Sequence, residues 1–217
     1  AVMWTFGGPA CTTGSCCDAP IGSLASSQDC DGDFIIDTCQ LASDDCNVNG
    51  VPDSCETLDS SVATFEAGDL GGYTPNGAAV LDGGSVALTP SDFGQVGTLV
   101  GPVLSTSPAM RVRASFDFLI DGMQNSPGDG FSFALLDASL LGNDVLFGED
   151  GPGPGSISVK FNTYDNGGGE GSNSMELRYN GVMLERVTSL PFTLVDEHAH
   201  RAIVELSGGR VTVKLGT

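Results

Sequence analysis

The chain of 217 residues carries 28 acidic and 8 basic side chains, a formal net charge of −20. That balance argues against nucleic acid as a partner, because phosphate binding needs a basic face, and no apolar run has the length of a membrane-crossing helix. The length suits one good core with a smaller appendage.

The first segment, residues 1–28, opens on "AVMWTF", with no basic n-region and no apolar h-region. It reads as the start of a mature chain or of a fragment. All the cysteines (Cys11, Cys16, Cys17, Cys30, Cys39, Cys46 and Cys55) lie at or before residue 55. Such density indicates a disulfide framework formed in an oxidising compartment, hence a secreted, extracellular or cell-surface location. Their odd number leaves at least one free or bonded to a neighbour.

Residues 29–56, "DCDGDFIIDTCQLASDDCNVNGVPDSCE", contain one loop written twice. A shift of sixteen residues aligns Asp29 with Asp45, Cys30 with Cys46, Asp31 with Asn47, Asp33 with Asn49, Asp37 with Asp53 and Cys39 with Cys55. Oxygen side chains at loop positions one, three, five and nine, with a backbone carbonyl at seven, are the spacing by which a short loop wraps a hard cation. The ligands expected for Ca2+ are Asp29, Asp31, Asp33, Ile35 (carbonyl) and Asp37 in the first loop. In the second they are Asp45, Asn47, Asn49, Val51 (carbonyl), Asp53 and Glu56. Each loop is irregular: position six holds Phe34 in one and Gly50 in the other, and position twelve holds Gln40 in one and Glu56 in the other. Zinc is disfavoured by the alternation of thiols with hard oxygen donors; a solvated acidic linker stapled by disulfides is the plainer alternative.

This arrangement resembles the calcium repeats of thrombospondin type 3, and "DCNVNGVPDSCE" looks like repeats common in exported proteins of planctomycete-like bacteria. The resemblance implies a disulfide from Cys39 to Cys46, which would leave Cys30 to pair backward with Cys16 or Cys17.

From residue 57 to 217 the cysteines stop, and short strands alternate with glycine, proline, asparagine and aspartate. In "MRVRASFDFLID" the residues Met110, Val112, Ala114, Phe116, Phe118 and Ile120 alternate with Arg111, Arg113, Ser115, Asp117 and Leu119, the period of a strand with one buried face. "FSFALLDAS", "SISVKFNTY", "SMELRYNGVMLERV", "HRAIVEL" and "RVTVKL" follow with turns such as "YNG" and "SGGR" between them. The expected class is all-β, an antiparallel sandwich or jelly roll preceded by the small disulfide-rich calcium-loop region.

The stretches "GDGFSFALLD", "GEDGPGPGSISVKFNTYDNGGGEGSNSMELRYNG" and "EHAHRAIVELSGGRVTVKLG" resemble the concanavalin A-like lectins, in particular relatives of the L-type (legume) lectins. The resemblance implies a two-sheet jelly roll with a shallow sugar site at one end, in which Asp129 of "GDGF" is the sugar-binding aspartate. The family's metal loop, Glu-x-Asp-x-aromatic-x-Asn, corresponds here to Lys160, Asn162, Tyr164 and Asn166. Lysine cannot ligate a metal, and asparagine in place of aspartate removes a charge. The transition-metal position is thus expected to be lost, with Asp165 and Glu170 as the carboxylates able to restore a hard-cation site. A sugar site needs an aspartate to accept hydroxyl hydrogens, an amide to donate and an aromatic face for the ring. Asp129, Asn166 and Tyr164 match those roles in that order; as turn residues and a packed tyrosine they also have an ordinary structural explanation.

An enzyme is not expected. The paired carboxylates of glycosidases have no counterpart, and the strand "SVKFNTYDN" holds lysine and asparagine where acids would be needed. Asp196, His198 and His200 of "DEHAH" make a weak metal set and read better as a turn and strand start. The function expected is an exported, non-enzymatic lectin-like module binding a glycan or polysaccharide. The alternative is a structural subunit that self-assembles into a fibre or surface layer, with "AVMWTF" adding a strand to the next copy. That alternative draws on the odd cysteine and on the lectin resemblance ending at "RVTVKLGT", where the family usually continues through further strands; a fragment whose remaining strands follow is the equal alternative for that early end.

Overall fold

The computed structural model describes residues 2–5, 62–104 except 91 and 93, 111–121, and 128–216 except 168 and 208. The acidic loops 29–56, the cysteines and the expected disulfide lie outside these residues. Twelve strands occur among the described residues: β1 (Val2–Thr5), β2 (Thr74–Gly77), β3 (Val80–Asp82), β4 (Ser85–Ala87), β5 (Gly97–Val100), β6 (Arg111–Phe118), β7 (Gly130–Leu136), β8 (Ser156–Asn162), β9 (Ser174–Tyr179), β10 (Val182–Val187), β11 (His200–Ser207) and β12 (Arg210–Gly216). Two four-stranded sheets run β1-β12-β11-β6 and β10-β9-β8-β7, and two small ribbons pair β2 with β5 and β3 with β4. No helix among the described residues is long and apolar enough to cross a membrane, a statement that leaves β-barrels aside.

Two compact units emerge. Among the described residues the first comprises 2–5, 111–116 and 202–214, the greater part of the β1-β12-β11-β6 sheet, where Ala202, Val204, Val211 and Val213 are buried. β6 keeps the alternation read from its sequence, exposed and half-buried residues taking turns along its length. β1 lies antiparallel to β12 of its own chain, Val2 opposite Val213 and Thr5 opposite Arg210. The segment expected to reach a second copy therefore adds its strand in cis, and an edge of β12 that would otherwise present unpaired backbone groups is covered.

The second unit comprises 62–104, 117–201 and 215–216, and holds the other sheet. Its core gathers Val159, Phe161, Met175, Leu177 and Leu194, each at most 1% exposed. Phe161 stacks on Phe131 at 4.5 Å between ring centres, and Phe118 meets both, at 5.1 and 5.4 Å. The "YNG" signal makes the hairpin between β9 and β10: Asn180 (φ 52°) and Gly181 (φ 80°) both adopt the left-handed region that a two-residue hairpin requires. "FSFALLDAS" is strand only to Leu136; Asp137 then caps a single helical turn, Ala138–Leu141, by accepting from the Ser139 amide at 2.9 Å.

One departure matters for function. A half-buried strand is expected from "SISVKFNTY", yet β8 is buried on both faces, and the polar face holds Ser156, Ser158, Lys160 and Asn162 at 0–4% exposure.

Candidate functional site: one end of the β7–β8 hairpin

β7 and β8 pair antiparallel from Leu136 opposite Ser156 to Gly130 opposite Asn162. Gly130 has φ +126°, and a Cβ there would fall 2.0 Å from the Phe161 carbonyl oxygen, so only glycine allows the chain to enter β7 this closely. Just outside the last pair, the Thr163 amide donates to the Asp129 carbonyl at 3.2 Å and the Thr163 hydroxyl donates to the Gly128 carbonyl. Asp129 is thereby held beside Thr163, with Tyr164 and Asn166 following on the same loop. All three expected sugar-binding residues stand at this end of the sheet and are exposed, Tyr164 by 45%. Asp165 shapes the loop locally, its carboxylate accepting from the Gly167 amide at 2.9 Å.

At the first two metal-loop positions, Lys160 and Asn162 act as donors. The Asn162 side-chain amide donates to the Tyr164 carbonyl at 2.8 Å and the Gly171 carbonyl at 2.7 Å, which ties both ends of the loop to β8. Lys160, 1% exposed, donates to Asp150 at 3.0 Å and lies 3.7 Å from Glu170 and 3.8 Å from Glu149. Burial by itself would lower the lysine pKa, but the hydrogen bond to Asp150 and the charges of Asp150, Glu170 and Glu149 outweigh it, and the ammonium titrates above the ordinary lysine range. Asp150 is displaced the opposite way: burial would raise its pKa, and Lys160 and Arg178 together bring it below the usual carboxylate range. A divalent ion at the Lys160 position would meet a fixed ammonium with no lone pair to offer, so the residues present do not fit the transition metal that the lectin resemblance implies.

The network continues across the sheet. Arg178 donates to Asp150, and Glu176, itself 1% exposed, takes Arg186 at 2.7 and 2.8 Å. Arg186 also donates to the Gly169 carbonyl at 2.8 Å. Strand register makes this possible, because Ser132, Lys160, Glu176 and Arg186 are successive cross-strand neighbours. Sequence reading passed over Glu149, Asp150, Glu176, Arg178 and Arg186. For Glu176 and Arg178 the trace in the sequence is alternation: a polar or charged residue at every second position of "SVKFN" and "MELRY", where a solvent-facing strand and a covered polar face look alike.

Elsewhere, His200 opens β11 as a buried residue, its Nε2 2.8 Å from the Asp196 carboxylate and its ring stacked on Phe192 at 3.7 Å. His198 is exposed ahead of the strand. Burial works to raise the Asp196 pKa, but hydrogen bonds and charge from the two histidines bring it below the ordinary range. A cavity of about 240 Å³ is lined by Asp117, Ala199, His200 and Arg201, with Arg201 forking onto Asp117 at 2.7 and 2.8 Å. Among the described residues no group of three or more His, Cys, Asp or Glu is placed to hold a metal ion.

No family model matches the sequence, and no curated protein does. Solved structures do match. The exoplasmic/lumenal domain of VIP36 in its Ca2+- and mannose-bound form aligns with TM-score 0.55 and 16% identity, over 73% of this chain and 70% of that one. Its metal-free form aligns with TM-score 0.53 and 17% identity, over 74% and 73%. Peanut lectin with a bound 9mer peptide aligns with TM-score 0.52 and 18% identity, over 74% and 82%. At such identities the likeness is one of architecture, and the chain has the nearly all-β fold of the L-type, legume-lectin-like proteins.

Proposed function

We propose that the protein is a non-enzymatic carbohydrate-binding module, exported to the extracellular space or cell surface, whose glycan site is the end of the β7–β8 hairpin. The observation that carries this reading is the Thr163–Asp129 backbone bond, which sets an exposed aspartate beside the loop bearing an exposed tyrosine and asparagine in a fold shared with mannose-bound VIP36. Asp129 accepts hydrogen bonds from sugar hydroxyls, Asn166 donates, and Tyr164 offers its ring face to the apolar side of the sugar. Glu149, Asp150 and Glu170 are ion-paired to Lys160, a setting that suits a structural role for these carboxylates.

The tandem loops 29–56 then serve as a calcium- and disulfide-stiffened stalk, with Ca2+ held by Asp29, Asp31, Asp33, Ile35 and Asp37, and by Asp45, Asn47, Asn49, Val51, Asp53 and Glu56. Cys39 and Cys46 join one loop to the next. For the fibre-subunit alternative, one of its grounds, a strand given by "AVMWTF" to the next copy, is weakened because β1 pairs with β12 of its own chain. A glycan array probed with the intact protein, competed by free sugar and repeated with Asp129→Ala, tests the reading. Competable binding lost in the variant supports it; absence of binding to any glycan, or binding unchanged in the variant, rejects the site.

A further inference from the structure

Lysine is among the side chains least often fully buried, because an ammonium removed from water must recover its solvation from partners. Lys160 recovers it from both sides in sequence: Glu149 and Asp150 arrive from the turn before β8, Glu170 from the loop after it. Two further donors reach the same loop, Asn162 to the Tyr164 and Gly171 carbonyls and Arg186 to the Gly169 carbonyl. Every oxygen named here is of the type a hard cation takes as ligand, and every one of these contacts is made by a nitrogen of the chain itself.

We propose that Lys160, with Asn162 and Arg186, acts as a built-in cation that orders the loop after β8, so that the end of the sheet bearing Asp129, Tyr164 and Asn166 holds its shape without a divalent ion. The inference concerns loop order and stands whether or not a glycan binds there. Charge supports it. Lys160, Arg178 and Arg186 face Glu149, Asp150, Glu170 and Glu176, three cations against four carboxylates, so the cluster is close to neutral as it stands. Asn162 Oδ1 and Glu170 Oε2 are buried without a hydrogen-bond partner among the described residues, so a loop ordered by an ion at these oxygens is the competing outcome of the test.

Hydrogen exchange read by mass spectrometry on the intact, oxidised chain separates the two. With excess EDTA, and again with millimolar calcium, peptides from 163–173 should exchange at the same rate within about twofold. The 29–56 peptides report the stalk separately, so loss of calcium there leaves this outcome unaffected. Arg186→Gln, at a partly exposed position, should speed exchange at 163–173 in either buffer, and Lys160→Gln should do so by about tenfold or more. Deprotection of 163–173 by EDTA in the unaltered protein overturns the proposal without any variant, as does unchanged exchange in a folded Arg186→Gln protein. The readout is loop protection, so a protein that binds no sugar still answers the question.

Discussion

Replacing Lys160 by methionine keeps most of the side-chain volume and removes the ammonium. Deleting one partner of a buried ion pair costs about 3–5 kcal/mol, because the charge left behind has lost its compensation. Here the figure must be reduced. Asp150 retains Arg178 and its side chain is 61% exposed, while Glu149 and Glu170, at 21% and 22%, regain part of their solvation by turning outward. A loss of about 2–3 kcal/mol is expected at neutral pH. For a folded region of this size that lowers Tm by roughly 4–12 °C, to be followed by far-UV circular dichroism and calorimetry. The pH dependence identifies the cause. Asp150 has a lowered folded pKa, so its contribution is present above the unfolded carboxylate value and is lost as pH falls through the folded one. Lys160 has a raised folded pKa, so its contribution is present below the unfolded lysine value and is lost as pH rises through the folded one. The gap between parent and variant should therefore be widest between the carboxylate and lysine ranges and should shrink as pH falls through the lowered Asp150 value. Adding Glu149→Gln and Glu170→Gln to the variant should recover part of the loss. A Tm within about 1 °C of the parent at pH 7, or a gap that stays constant through the whole acid limb until both proteins unfold, would refute the reasoning.

Three further outcomes are expected, two from this geometry and one from the acidic loops. Gly130→Ala forces a Cβ onto the Phe161 carbonyl oxygen in a left-handed backbone and should cost at least about 2 kcal/mol in urea titration, with Asp129 displaced from Thr163 and glycan binding weakened alongside. Tyr164→Ala, at an exposed loop position, should leave stability within about 0.5 kcal/mol and weaken glycan binding by up to about tenfold, as titration calorimetry would show. Calcium titrated into the oxidised, chelator-treated chain should be taken up by the loops 29–56; removing it should loosen those residues while the β-sheet signal persists, and no heat of binding would end the calcium assignment.

What the sequence determined by itself is local. Alternation along "RVRASFDF" sends every second side chain the same way in any sheet, so the burial pattern of β6 was readable before its neighbours were known. Asn180-Gly181 fixes a hairpin because its backbone demands φ > 0 at both positions. The doubled loop of 29–56 is likewise a matter of spacing within one short stretch. The tertiary structure alone decided what arrives across those strands. That β6 lies beside β11, and that β1 runs along β12, depends on closing very long loops, and no local preference specifies it. Lys160 shows the difference most directly. In sequence it is a lysine at a position where the lectin resemblance implies a metal-binding acid, a mark of a lost site. In the folded chain Asp150 and Glu170 converge on it from ten residues to either side and Arg178 joins through Asp150 across 28, so the same residue is a buried charge at the centre of an ion-pair cluster. A side chain's direction follows from its own backbone; whether a charge can be buried follows from which opposite charges the rest of the chain brings to it.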